Sequence, residues 1–258
     1  MSLLPTDNDL PGLGRATIWL NDPQNWWGES GLLARIREHL LYTLIAVALA
    51  ALIAVPLGLL VGHTGRGAGL VGAIAGGIRA VPSLGLVVLL VVWISPHIHT
   101  IDEIPGLIRR GGLPYLVPVL IVLVALAIPP LLTSTYAGVQ AVDPVVRDAA
   151  KGMGMTGAQV VRKVEIPIAL PLMLSGLRSA TLQVLATATV AAFVPFLGGL
   201  GRFIKDGTGR LFDLQYGYPA MVGAGIVVAV LAVVVDGLLY LVQRLAVSPG
   251  LRPQGRKK

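Results

Sequence analysis

The chain has 258 residues, 55% hydrophobic and 13% charged, with a mean hydropathy of +0.79, a balance that excludes a solvent-covered globular domain and places much of it in lipid. Its formal net charge of +7 is spread between and after apolar runs, which excludes a nucleic-acid surface and fits contact with anionic membrane lipid. Cysteine is absent, which excludes disulfides and thiolate metal sites, and the four scattered histidines form no ligand pattern, so neither metal nor cofactor is expected.

From Met1 to Leu20 the chain carries Asp7, Asp9 and two prolines where a signal peptide needs a basic start and an apolar run, so no cleaved leader is expected. Trp26 and Trp27, followed by Leu32, Leu33, Ile36 and Leu40 at helical spacing, predict a short amphipathic segment at the membrane interface. A bilayer core about 30 Å thick needs roughly 20 apolar residues in a helix. Leu40 to Val61, Pro114 to Ala137, Leu172 to Leu197 and Pro219 to Val242 meet that length, with Arg178 near the start of the third and Asp236 near the end of the fourth.

A further apolar stretch, Ala68 to Ile94, is interrupted by Arg79 and by Pro82, which removes a helix hydrogen bond and kinks the chain. Read as one bent crossing it gives five spans and puts the chain ends on opposite sides; split in two it gives six and puts them on the same side. Arg79 lies about eleven residues into this stretch, deep at 1.5 Å per residue, and is either a residue of a transport path or a structural arginine reaching toward the interface. Asp236 reads as a structural partner.

Between the second and third clear spans lies a polar island, Ala141 to Pro171, reading AVDPVVRDAAKGMGMTGAQVVRKVEIPIALP. Asp143 followed by Pro144 predicts a capped helix running to about Lys151, ended by Gly152 and Gly154. Thr156 and Gln159 predict a capping box for a second helix, which Pro167 and Pro171 are expected to stop before the next crossing. The product is a helix, glycine turn and helix, a knob with Ala149, Ala150 and Gly152 at its tip and Arg147 and Lys151 at its flanks. By pattern alone it is either a docking element or a linker between spans.

This island resembles the EAA loop of binding-protein-dependent ABC importer permeases, whose pattern is Glu-Ala-Ala, three residues, Gly, nine residues and Ile-x-Leu-Pro. Asp148, Ala149 and Ala150 stand at the first three positions, Gly154 at the glycine, and Val164, Glu165, Ile166 and Pro167 at the end. Asp148 keeps the charge of the usual glutamate on a shorter side chain. The resemblance runs from about Leu40 to the last crossing. RAVPSL at Arg79 to Leu84 and PFLGGLG at Pro195 to Gly201, with the ending Val227 to Asp236, are most similar to glycine betaine, carnitine and choline permeases; methionine permeases share the five-crossing plan.

The resemblance implies an all-α integral membrane protein with about five transmembrane helices and a cytoplasmic helix-turn-helix coupling loop. Residues 1–38 would be an extracytoplasmic or interfacial segment, 39–243 the permease domain with its coupling loop at 141–171, and 244–258 a basic cytoplasmic tail. It also implies residence in a bacterial inner membrane with the amino end outside. Lysine and arginine support that orientation by a slim margin, ten on the side of the carboxyl end against eight on the other. Asp148, Ala149, Ala150, Gly154, Val164, Ile166 and Pro167 would meet a cytoplasmic ATP-binding subunit. The other implied partners are a second permease, identical or paralogous, and an extracytoplasmic substrate-binding protein.

For a polar solute's path the sequence offers Arg79, Thr181, Gln183 and Thr187; Gln183 and Thr187, four apart, share a helix face. The threonines could equally satisfy neighbouring helix backbone. A stand-alone channel or secondary transporter is the other class of function, and it usually needs more midplane ionisable groups than this chain offers. No catalytic arrangement and no GxxxxGK[ST] stretch occurs, so ATP hydrolysis is assigned to a partner.

Overall fold

A computed structural model describes residues 12–99, 112–248 and 250. Its regular elements are all helical among the described residues: α1 (Gly12–Asn21), α2 (Leu32–Thr64), α3 (Ala68–Ala80), α4 (Ser83–Ile94), α5 (Leu113–Gln140), α6 (Pro144–Gly152), α7 (Gly157–Val160), α8 (Ile166–Thr187), α9 (Gly201–Thr208) and α10 (Gly217–Ala246). Four of the described helical stretches are long and apolar enough to cross a membrane: Leu32–Thr64, Leu113–Gln140, Gly157–Phe193 and Gly217–Ala246. α3 and α4 qualify only as a pair broken at Val81 and Pro82. With 13 and 12 residues, neither reaches the roughly 20 residues a crossing needs, so together they supply at most a fifth span.

Two local expectations are corrected. Leu32, Leu33, Ile36 and Leu40 form the opening turns of α2 itself instead of a separate interfacial segment, because no glycine or proline interrupts the chain from Leu32 to Val55. Pro167 and Pro171 do not stop the helix that begins at Gly157. A π-helical turn, Val161–Glu165, carries it into α8, with the Ile166 N–H bonded to the Val161 carbonyl. The wider turn makes room for the Pro167 ring, which in a regular helix would press on the carbonyl of Lys163. The polar island and the third clear span are therefore mechanically continuous.

The described residues fall into two compact units. The first is drawn from Met1–Leu44, Ser83–Val122 and Leu185–Val233. Its core is built on Trp19, Leu32 and Leu200, with Leu20, Trp26, Ile36, Phe203 and Val227 packed against them. The Trp19 and Phe203 rings meet edge to face at 5.3 Å. Trp26 Nε1 donates to the Leu20 carbonyl, so its half-buried ring leaves no orphaned donor. His39, fully buried, donates from Nε2 to the Leu185 carbonyl at 2.8 Å, an acceptor left available where α8 approaches its end.

The second unit is drawn from Ile45–Pro82, Leu123–Val184 and Val234–Lys258. Small residues set its helix spacing. A methyl group on Gly58 would lie 2.7 Å from Thr135 Cβ, and one on Gly62 2.6 Å from Val139 Cβ, so α2 and α5 touch through a Gly-x-x-x-Gly face. Gly176 on α8 plays the same part against Ser134 on α5. Nearer the carboxyl end, Arg178 of α8 forms a two-pronged hydrogen-bonded ion pair with Asp236 of α10, and its guanidinium sits 5.6 Å from the centre of the Tyr240 ring. Each charge there cancels the other's cost inside an apolar helix. Gln243 Nε2 adds a bond to the Pro171 carbonyl at 3.1 Å, a further tie between α10 and α8.

Because an unpaired intramembrane charge is far more costly than a matched pair, Arg178→Met alone should destabilise the detergent-solubilised protein more than the double change Arg178→Met, Asp236→Leu. Thermal aggregation midpoints measure this, and equal losses in the two variants would contradict it.

Candidate functional site

The helix, turn and helix expected from Ala141 onward is present, and the start and end of its first helix and the start of its second have their predicted causes. Asp143 caps α6 by accepting the Val145 N–H at 2.8 Å, with Pro144 in the first turn. Gly154 ends that helix in the left-handed region, φ +81°, which costs glycine nothing, and its N–H returns to the Lys151 carbonyl. Thr156 and Gln159 form the reciprocal capping box that starts α7.

What holds the island in shape was not read from the sequence. Glu165, on the π-helical turn, is fully buried, and its carboxylate faces two basic side chains. Arg147 of α6 places Nε 2.8 Å from Oε1, and a second nitrogen of its guanidinium donates to the Val139 carbonyl at the end of α5. His63, in the last turn of α2, sets Nδ1 at 3.0 and 2.9 Å from the two carboxylate oxygens and donates to them. One carboxylate thus ties α6, the start of α8 and the end of α2 together. Arg147 therefore turns inward, in correction of its expected place on the flank of the knob. Two signals could have exposed the cluster: a lone acid inside the apolar VEIPI run, and a histidine at the exit of the first span.

The expected contact residues divide in two. Ala150 is buried within the chain, in correction of its expected place at the exposed tip. Ala149, Asp148 and Gly154 are exposed, as is Pro167, while Val164 and Ile166 are half-buried. Val145 and Met153, 72% and 73% exposed, flank Ala149 at intervals of four residues. An apolar stripe therefore runs along the outer face of a short, otherwise polar helix.

On α8, Thr181 donates its hydroxyl to the Leu177 carbonyl of its own helix, while Gln183 and Thr187 are half-buried. The side chain of Arg79 lies outside the described residues, as do Arg109, Arg110 and the terminal cluster Arg256, Lys257 and Lys258. Among the described residues no group of three or more histidine, aspartate or glutamate side chains is placed to hold a metal ion.

Removing the Glu165 carboxylate leaves Arg147 without its counter-ion in a largely enclosed place. Glu165→Ala should cost about 3–5 kcal/mol of stability and open the 141–171 segment to protease, whereas Asp148→Ala, at an exposed position, should do neither. Thermal unfolding with limited proteolysis of the purified protein reads both, and an unaltered Glu165→Ala variant would contradict the brace.

Comparison with known proteins places this geometry. The family model described as binding-protein-dependent transport system inner membrane component matches residues 31–247. Among curated proteins, the glycine betaine/carnitine/choline transport system permease protein OpuCB of Bacillus subtilis is 32% identical over 227 residues, 88% of this chain and 93% of that protein. The osmoprotectant import permease protein OsmW of Salmonella typhimurium is 31% identical over 226 residues, covering 87% of this chain and 96% of that one. Among solved structures, an inward-facing MetNI methionine ABC transporter matches with a TM-score of 0.64 at 20% identity, over 84% of this chain and 96% of that chain, a likeness of fold. With a family model spanning most of its length and relatives above 30% identity, this chain belongs to the inner membrane components of binding-protein-dependent transport systems.

Proposed function

We propose that this permease carries small osmoprotectants of the glycine betaine, carnitine, choline or proline kind into the cell, driven by a cytoplasmic ATP-binding subunit that grips the 141–171 loop. The exposed stripe of Val145, Ala149 and Met153 carries the reading: an apolar face on a helix braced from behind by Glu165 is shaped to be covered by another protein. Ala149 at its centre lets a partner's surface come close, and the brace passes a push on α6 to α8 and to the end of α2. The loop residues Asp148, Gly154, Val164, Ile166 and Pro167 complete the proposed coupling element. The substrate class is supported by the osmoprotectant permeases among the relatives, at 31–32% identity over most of both chains.

The rest of the assembly follows from one subunit's share of a path. A second permease, identical or paralogous, completes the route, and an extracytoplasmic substrate-binding protein delivers solute to it. The amino end faces outward and the carboxyl end the cytoplasm of a bacterial cell with this membrane. Ion-pair energy and ATP chemistry stay separate in this scheme, since hydrolysis occurs on the partner and the permease supplies two packings of one set of helices. Arg79, Thr181, Gln183 and Thr187 are proposed to border the path, with Thr181 offering only its oxygen because its hydrogen is committed to Leu177.

Ala149→Glu puts a charge into the centre of the stripe. Osmoprotectant uptake by cells should fall at least about tenfold, equivalent to about 1.4 kcal/mol of lost docking energy, while the protein stays in the membrane. Undiminished uptake at equal expression would overturn the coupling role. For the path, Gln183→Cys should react with a membrane-impermeant maleimide faster during ATP-driven turnover than at rest; no reaction in either state would remove Gln183 from the route.

A further inference from the structure

In the first unit, residues 209–216 join α9 to α10 and carry large apolar side chains on their outer side. Phe212 is 98% exposed and Tyr216 67%, and Leu211 and Leu214 are exposed as well. A lone exposed phenylalanine needs no explanation, but four large apolar residues within six positions form a patch that something covers. The hydrogen bonds of this turn say what.

Its backbone is satisfied from within. The Arg210 N–H donates to the Gly207 carbonyl at 2.9 Å, the Asp213 N–H to the Arg210 carbonyl at 3.0 Å and the Leu214 N–H to the Phe212 carbonyl at 3.1 Å. The Asp213 carboxylate accepts the N–H groups of Gln215 and Tyr216, both at 3.1 Å, and its carbonyl takes that of Tyr218 at 3.0 Å. Arg15 of α1 donates from Nη1 to the Leu214 carbonyl at 3.1 Å. A loop standing in water can leave such groups to solvent, and one pressed on another protein can borrow its donors and acceptors. A loop in a water-poor layer has to supply them itself. Gly217 locks the turn onto α10, since a methyl there would lie 2.4 Å from the Arg210 carbonyl oxygen.

Position names the layer. α10 has 30 residues, about 45 Å at the helical rise, which matches the roughly 40–45 Å of a bilayer with its headgroups. Its first residue therefore lies in a headgroup layer, and the turn bonded to it lies there too. Irregular backbone keeps out of the hydrocarbon, whereas aromatic rings and basic side chains are at home at its edge. Arg210, the single basic residue of the turn, is exposed beside the apolar group, while the single acid, Asp213, is spent on backbone N–H groups. We infer that residues 209–216 form an interfacial anchor, seated in the lipid headgroup layer at the amino-terminal end of α10, with Phe212 and Tyr216 dipping toward the acyl chains and Arg210 facing lipid phosphate. The anchor pins one end of the last span, holds α1 to it through Arg15, and does so whatever solute the permease carries.

The chain has no cysteine, so Phe212→Cys creates a unique site for a nitroxide label. With the full-length protein in vesicles of phosphatidylethanolamine and phosphatidylglycerol, electron paramagnetic resonance compares the label's collisions with oxygen, which partitions into lipid, and with a nickel chelate, which stays in water. Asp148→Cys, at an exposed position on α6, supplies the aqueous reference. The ratio of oxygen to nickel collisions at position 212 should be several times that at position 148, as expected for a side chain sunk below the headgroups. Tyr216→Cys should give the same excess, and it decides the matter should Phe212→Cys fold poorly. A ratio equal to the aqueous reference would put the turn in water and overturn the anchor. A label shielded from both probes would show it covered by protein, as between two copies of the permease, and would overturn it too. So would a label open to the nickel chelate until a substrate-binding protein is added, which would make the turn a docking site for that protein.

Discussion

A carboxyl group withdrawn from water must be met by hydrogen-bond donors, and Glu165 meets that demand with Arg147 and His63. These two side chains come from helices far apart in sequence, so the demand fixes tertiary structure. The end of the first crossing, the exposed helix and the foot of the third clear span are held by one group. Hydrophobic packing could hold them together too, but it is tolerant of sliding. A buried ion pair with defined donor directions is not, and for an element proposed to transmit force, resistance to sliding is the useful property.

Helix contacts elsewhere follow a different logic. In lipid there is no hydrophobic gain from pressing two apolar helices together, so close approach and polar pairing decide which faces meet. Gly58 and Gly62 bring α2 onto α5, Gly176 brings α8 onto α5, and Arg178 with Asp236 fastens α8 to α10. The first unit uses the means of a soluble protein instead: a tryptophan and phenylalanine core, with the Trp26 indole N–H and His39 Nε2 bonded to backbone carbonyls.

Local grammar was the most legible part of the sequence. Asp143, Pro144, Gly154, Thr156 and Gln159 act through neighbours within a few residues, so their roles could be read directly and the structure repeats them. Apolar run length located the long helices for the same reason. Pairings across the chain were not legible. Nothing near Glu165 in sequence identifies His63, about one hundred positions away, as its partner, and Ala150 looks like an exposed tip residue until the chain behind it is in place. Proline misled at Pro167 and Pro171 because its rule assumes a regular helix, and the preceding turn is not regular. A pocket beside Arg35 was illegible because its members come from two distant stretches of chain, although the glycine-rich PFLGGLG segment in one of them had been noticed as a motif.

The π-helical turn also sets an angular phase. Each residue of an α-helix advances about 100° around the axis, and a wide turn inserts one residue without adding a turn, so every side chain beyond it is rotated by about that amount relative to a regular helix. Gly176, which faces Ser134, and Arg178, which faces Asp236, both lie beyond that offset. The short stretch Val161–Glu165 thus works as a clocking element: it holds the carboxylate that grips α6 and, in the same five residues, sets the azimuth from which α8 presents its small and charged groups.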